Sequence, residues 1–143
     1  MMELVETVTL DAPPEEVFAV VEDLGRYPEW LSIVPRAVPL DAEPPAWTVD
    51  LRGRVGPLSR AKRLRMERTE HHPFIDVRFE RVELDGRNHS PWVLDASVAS
   101  RPGGSELRMT LRYGGALWVP MLDRMLRQEI EGSRPRLAAL LSG

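Results

Sequence analysis

The sequence predicts an α+β fold, in which one antiparallel sheet is covered on one face by a single long C-terminal helix. Three observations carry this. From Leu117 to Leu141 apolar residues recur at helical steps. From Arg36 onward the apolar period changes to two. The segments between the predicted strands are short, which makes successive strands antiparallel neighbours. In the closing stretch Trp118, Leu122, Met125, Leu126, Ile130, Leu137, Leu140 and Leu141 form the apolar stripe, with Asp123, Arg124, Arg127, Gln128 and Glu131 on the wet side. Pro120 suits a first helical turn, where the N–H it lacks would be unpaired anyway. Pro135 falls inside the pattern and is expected to kink the helix, or to end one segment and start another. An amphipathic helix of this length needs a large apolar partner, and the sheet upstream supplies one.

Leu4, Val8 and Leu10, with Glu3, Thr7 and Thr9 between them, predict the first strand. The stretch DAPPEEVFAVVEDLG then starts a helix at Pro13-Pro14, with Glu15 and Glu16 in its first turn, where carboxylates suit the helix dipole. Val17, Val21 and Leu24 form its apolar edge with Phe18 beside them, and Gly25 is the expected stop. In RYPEWLSIV, Pro28 is expected to open a second short turn presenting Tyr27, Trp30 and Leu31. Trp47, Val49, Leu51 and Val55 alternate with polar residues, Gly56-Pro57 turns, and Leu58 to Thr69 reads as the next strand. Ile75, Val77 and Phe79 alternate beyond Pro73. Val82 and Leu84 then change parity, so a bulge is expected near Arg81. Asp85-Gly86 signals a hairpin turn. Trp92, Leu94, Ala96 and Val98 mark one more strand and Leu107, Met109, Leu111 and Tyr113 the last, with Pro102-Gly103-Gly104 turning between them. No repeat, linker or low-complexity segment interrupts the chain, which reads as a single domain over residues 1–143.

At 143 residues, 43% hydrophobic and 29% charged, the composition is that of an ordinary globular protein. No apolar run approaches the ~20 residues that span a bilayer, so no stable membrane insertion is expected. The opening MMELVETVTL shows no basic n-region or cleavage site, and a cytoplasmic location is the expectation. The absence of cysteine removes disulfides, a thiol nucleophile and Cys-based zinc sites. The net charge of −3 hides an asymmetry, because residues 1–50 hold eleven acidic residues against two basic ones. The basic run RGRVGPLSRAKRLRMER lacks the interleaved aromatics of a nucleic-acid surface, and no nucleic-acid partner is expected. Alternate residues there, Ala61-Arg63-Arg65-Glu67, read as a solvated outer face. On the other parity Arg60 and Lys62 share a face with Leu58, Leu64 and Met66. There they either reach solvent at the strand end or meet an acidic group of a ligand.

Catalytic and cofactor signatures are sparse. His71-His72 point to opposite faces of an extended segment, so no metal is expected where zinc takes three or four ligands. There is no H-E-x-x-H, G-x-S-x-G, Walker or G-x-G-x-x-G motif, and no cofactor is expected.

The opening strand followed by APPEEVFAVVEDLGRYPEWL, the strand run and the closing amphipathic helix resemble the START-like superfamily, also called SRPBCC, across essentially the whole chain. That superfamily includes polyketide cyclase/dehydrase-like and lipid-transfer-like proteins. The resemblance implies a helix-grip fold, a curved seven-stranded antiparallel sheet wrapped around the C-terminal helix with a cavity between them. It also implies a hydrophobic ligand in that cavity. No catalytic set is shared across the superfamily, so the fold alone does not give a reaction.

The candidate ligand-binding residues follow from faces. Trp30, Trp47, Phe79, Trp92, Met109, Tyr113, Leu122 and Met125 are either plain core or the lining of an apolar pocket. Glu129 lies close to the centre of the apolar stripe projected through Trp118, Met121, Leu122, Met125, Leu126 and Ile130, with Ser133 on the same side. A carboxylate there is costly unless paired or neutralised. It is therefore a structural partner, or a ligand-orienting or acid/base group whose pKa is raised. His89 is a second acid/base candidate. Three functions remain open: a binder or carrier of a small hydrophobic ligand such as a lipid, quinone or polyketide-like ring; a cyclase, aromatase or dehydratase on the same scaffold; or an interaction module with a filled core. Two converging titratable groups in an open cavity would favour the enzyme, and a single polar group the carrier.

Overall fold

The structure, a computed structural model, describes residues 2–55, 58–114 and 119–142, apart from the side chains of 53–55, 58–60, 119–123 and 142. Strand β1 spans Met2–Leu10, helix α1 Pro14–Val21, and a 3₁₀ turn Leu24–Glu29. There follow β2 (Arg36–Leu40), β3 (Ala46–Val55), β4 (Leu58–His72), β5 (Asp76–Arg81), β6 (Trp92–Arg101), β7 (Gly104–Tyr113) and helix α2 (Val119–Ser142). The seven strands form one antiparallel sheet in the order β1-β7-β6-β5-β4-β3-β2. The first two strands thus lie at opposite edges, and α1 with the 3₁₀ turn bridges between them. Helix α2 packs against β1, β3 and the turn, which is the helix-grip arrangement. No helix among the described residues is long and apolar enough to cross a membrane.

Period-two alternation sorts the sheet into two faces. Leu4, Val49, Leu64, Phe79, Leu107 and Tyr113 are buried on the inner face, where α2 adds Met125, Leu126 and Leu137. The outer face carries ion pairs across strands. Arg78 holds Asp95 at 2.7 Å, Arg112 holds the same carboxylate at 3.0 Å, and Arg112 also reaches Glu3 at 2.9 Å. Opposite charges on neighbouring strands make this solvated face favourable rather than merely tolerated. The basic run contributes as well, with Arg63 on Asp50 of β3 and Arg65 on Glu67 of its own strand.

Five local expectations are corrected. Helix α1 ends at Val21, and Gly25 lies at the start of the 3₁₀ turn, because the Asp23 carboxylate accepts from Gly25 N at 2.8 Å and caps that turn. Pro28 accordingly sits near the end of the turn. The register shift is in β4, between Arg68 and Glu70, and not near Arg81. It switches the inward parity from Leu64 and Met66 to His71, whose ring stacks on Phe18 at 5.8 Å. Val82 and Leu84 follow the end of β5, and Leu84 is 76% exposed. Asp85-Gly86 belongs to a ten-residue connection between β5 and β6, with φ of 73° at Gly86, not to a two-residue hairpin. Finally, of the two outcomes expected at Pro135, a new segment does not start there, because α2 continues through it to Ser142. The predicted turn at Gly56-Pro57 lies outside the described residues.

Candidate functional site

A cavity of about 90 Å³ lies between the inner sheet face and α2. Its sheet wall comes from Leu4 and Glu6 of β1, Val49 and Leu51 of β3, Leu64 and Met66 of β4, Trp92 and Leu94 of β6, and Met109 and Leu111 of β7. Leu126 and Ile130 of α2 form the opposite wall. Leu24, Tyr27 and the segment Trp30, Leu31, Ile33 and Val34 close one end.

The segment 30–34 is tied to α2 by two polar contacts. Ser32 Oγ donates to Glu129 Oε2 at 2.6 Å, and Arg136 Nε donates to the Trp30 carbonyl at 3.1 Å. From the other side the 3₁₀ turn is anchored by Tyr27, which is fully buried and donates its hydroxyl to the Val21 carbonyl at 2.9 Å. Burial, and secondarily the Asp23 charge, push the Tyr27 phenol far above its ordinary value of 10.0. The folded state therefore holds this proton where the unfolded chain releases it. The stability contribution is complete below pH 10 and is lost as the pH rises beyond it. In an alkaline titration followed at the phenolate absorbance band, Tyr27 should contribute nothing until the fold is lost. A Tyr27 step completed while the circular dichroism remains native would show that the hydroxyl is accessible.

Of the side chains singled out in the sequence, Trp30, Trp92 and Met109 line the cavity. Trp47, Phe79 and Tyr113 are buried but outside its lining: Trp47 meets Phe79 edge-on at 5.5 Å, and Tyr113 stacks on Trp92 at 5.3 Å. Met125 is buried in the core without reaching the cavity, and the Leu122 side chain lies outside the described residues. Ser133 is buried with its hydroxyl donating to the Ile130 carbonyl at 2.6 Å, within its own helix. Glu129 is half-buried at the margin of the buried stripe and accepts from Ser32 outside the lining. That margin follows from the buried positions Leu126, Ser133 and Leu137, which set the phase of α2. His89 lies on the connection before β6, between the Asp85 carboxylate at 2.8 Å and Arg81 at 3.2 Å, away from the cavity wall.

Most of the described lining was not singled out in the sequence, Glu6 included. Among the described lining residues Glu6 is the one ionisable side chain apart from the Tyr27 phenol. Arg134 of α2 holds its carboxylate at 2.6 Å and also donates to the Thr7 carbonyl at 3.1 Å. Removing one partner of such a pair beside an apolar wall leaves the other charge uncompensated at large cost. The signal was available, since Glu6 shares its parity with Leu4, Val8 and Leu10. Two further polar atoms border the cavity wall without partners: the indole N–H groups of Trp30 and Trp92 are buried and have no acceptor. Among the described residues no group of three or more histidine, aspartate or glutamate side chains is placed to hold a metal ion.

The fold recurs in solved structures of low sequence identity. Protein CV1439 from Chromobacterium violaceum superposes with a TM-score of 0.71 at 17% identity, over 99% of this chain and 97% of its own. A START superfamily protein from Mycobacterium smegmatis gives 0.70 at 15% identity, over 98% and 97%. The Zhui aromatase/cyclase from Streptomyces sp. R1128 gives 0.70 at 13% identity, over 99% and 93%. No curated protein sequence matches the chain. The family described as polyketide cyclase / dehydrase and lipid transport matches residues 1–142, and the chain belongs to that family.

Proposed function

We propose that the protein binds a small apolar molecule between its sheet and α2, and acts as a carrier or sensor of it. The observation that carries this reading is the cavity itself, whose surface, as formed by the described residues, is apolar throughout. A binding pocket needs such a wall, with a few polar groups to set orientation. Acid–base turnover needs two groups poised within reach of the same atoms. Here Glu6 is held by Arg134, while Glu129 and His89 have partners outside the lining. That arrangement supports carriage over a cyclase or dehydratase reaction, and the space between sheet and helix supports either over a filled interaction module.

Size decides how a ligand gets in. A cavity of about 150 Å³ accepts benzene, and ligand pockets run to about 300–1,000 Å³. At about 90 Å³ the cavity as it stands holds nothing as large as a lipid chain or fused rings. A ligand of that size needs the wall to give way, and separating segment 30–34 from α2, which breaks the Ser32–Glu129 and Arg136–Trp30 contacts, would supply the room.

The test uses N-phenyl-1-naphthylamine, an uncharged fluorescent hydrophobe. Saturable binding with a melting temperature that rises with probe concentration is expected, since a ligand that prefers the folded state stabilises it. Ile130→Phe, which fills space from α2, should weaken the probe at least tenfold. Leu126→Ala, which removes a side chain 1% exposed, should cost about 3 kcal/mol of stability while enlarging the cavity and binding the probe more tightly. Absence of saturation in the wild type, or equal affinity in all three proteins, would refute an internal site.

A further inference from the structure

We propose that the ligand is an amphiphile with a single carboxylate, and that Lys62 receives this group at the β4 end of the cavity. The inference rests on the binding reading above and names the chemistry of its ligand. Lys62 continues the inward face of β4 immediately beyond Leu64 and Met66, and its backbone partner across the sheet is Leu51. All three neighbours line the cavity. The Lys62 ammonium stands 5.9 Å from the ring centroid of Trp92, another lining residue, and donates to Ser90 Oγ at 3.2 Å. It is therefore placed where the apolar wall meets solvent.

Charge at this corner is unbalanced. Arg81 also converges on Ser90, donating to its carbonyl at 3.2 Å. The carboxylate here, Glu83, is taken by Arg81 at 3.1 Å and by the backbone N–H of Arg65 at 2.8 Å. His89 occupies the Asp85 carboxylate. No carboxylate among the described residues lies within ion-pair distance of Lys62. Partial burial, and then the repulsion of Arg81, outweigh the attraction of Glu83 and hold its ammonium below the ordinary lysine value. The Trp92 indole N–H beside it is buried without an acceptor. A cation left unneutralised, next to an orphan donor at the rim of an apolar cavity, is complementary to a group that is anionic and rich in acceptor lone pairs. The rest of the described wall is apolar and offers no partner for a second charge, which limits the ligand to one charged end.

Octanoate, octanol and octylamine share one chain and differ in the head group, so their affinities separate charge from apolar burial. Calorimetry at pH 7 and about 20 mM salt should give octanoate roughly tenfold tighter than octanol, the scale of one charge-assisted hydrogen bond. The advantage should shrink at ~150 mM salt through screening. Lys62→Met, which keeps the apolar stem, should bring the octanoate-to-octanol ratio to about one, and Lys62→Arg should retain it. Octanol that binds as well as octanoate in the wild type, a ratio that survives in Lys62→Met, or octylamine as the tightest of the three would overturn the assignment of Lys62 while leaving the cavity reading intact. If neither octanol nor octanoate binds, both readings fall together.

Discussion

A chain ending at residue 118 should show no cooperative unfolding transition. Helix α2 buries Met125, Leu126 and Leu137 and half-buries Ile130, Leu140 and Leu141. At roughly 2 kcal/mol for each fully buried side chain and half of that for the others, its removal forfeits on the order of 10 kcal/mol. A whole domain is stable by only about 5–15 kcal/mol. The loss is not confined to apolar area. Without Arg134 the Glu6 carboxylate is left on an apolar wall, and without Glu129 and Arg136 the segment 30–34 loses both of its ties to the helix. The exposed inner face would also form a contiguous apolar patch that favours association. Calorimetry, hydrophobic-dye binding and size-exclusion chromatography read these effects together. A truncated chain that stays monomeric, binds no dye and melts in one sharp transition would show that the core lies elsewhere.

The second large effect is expected from the smallest change. A Cβ added to Gly104 would stand 2.1 Å from the Leu10 carbonyl oxygen and 3.1 Å from its carbon, and both are backbone atoms that no rotamer change moves aside. Gly104 opens β7 where it meets the end of β1, and the next residue, Ser105, is fully buried with its hydroxyl on the Ala12 carbonyl at 2.6 Å. The two strands must separate locally to admit the methyl group. Gly104→Ala should therefore cost roughly 3 kcal/mol, a fall of about 10 °C in melting temperature. Gly103→Ala is the internal comparison. Its added Cβ meets nothing within 4 Å, but its φ of 80° is left-handed, so the cost is conformational and about 1 kcal/mol. Equal or reversed melting temperatures for the two variants would mean that the β1–β7 junction has room that the distances deny.

The sheet, its covering helix and the order of elements were legible because each is announced by a local period. Leu107, Met109, Leu111 and Tyr113 need no distant partner to read as one strand face. The bulge in β4 was not legible for the opposite reason. Between Met66 and His72 every residue is polar, so no apolar marker records the change of phase that turns His71 inward. Val82 and Leu84 offered a false marker, being apolar residues in a connection where Leu84 is exposed.

Site residues divide along the same line. Lys62 could be placed on the inner face by parity alone. Glu6 could have been placed the same way, and its pairing with Arg134 could not, because 128 positions separate them. Glu129 was read from a stripe that included residues at the start of α2. Its observed contact with Ser32, 97 positions away, depends on how the helix is seated against the segment after the 3₁₀ turn. A helical projection carries no information about such a neighbour.

The strand order has a kinetic consequence. β1 pairs only with β7, from Met2 on Tyr113 to Leu10 on Ser105. During synthesis the first strand thus leaves the ribosome with no hydrogen-bonding partner, and it waits until the seventh has emerged. The loop closed by that pairing spans most of the chain, and contacts so distant in sequence slow folding into the millisecond-to-second range typical of non-local sheets. Meanwhile β6 and β7 can form their hairpin, whose β7 side is an open edge able to accept a strand from another chain. The nascent β1 is short, alternating and acidic at Glu3 and Glu6, a pattern that discourages its stacking on copies of itself while it waits.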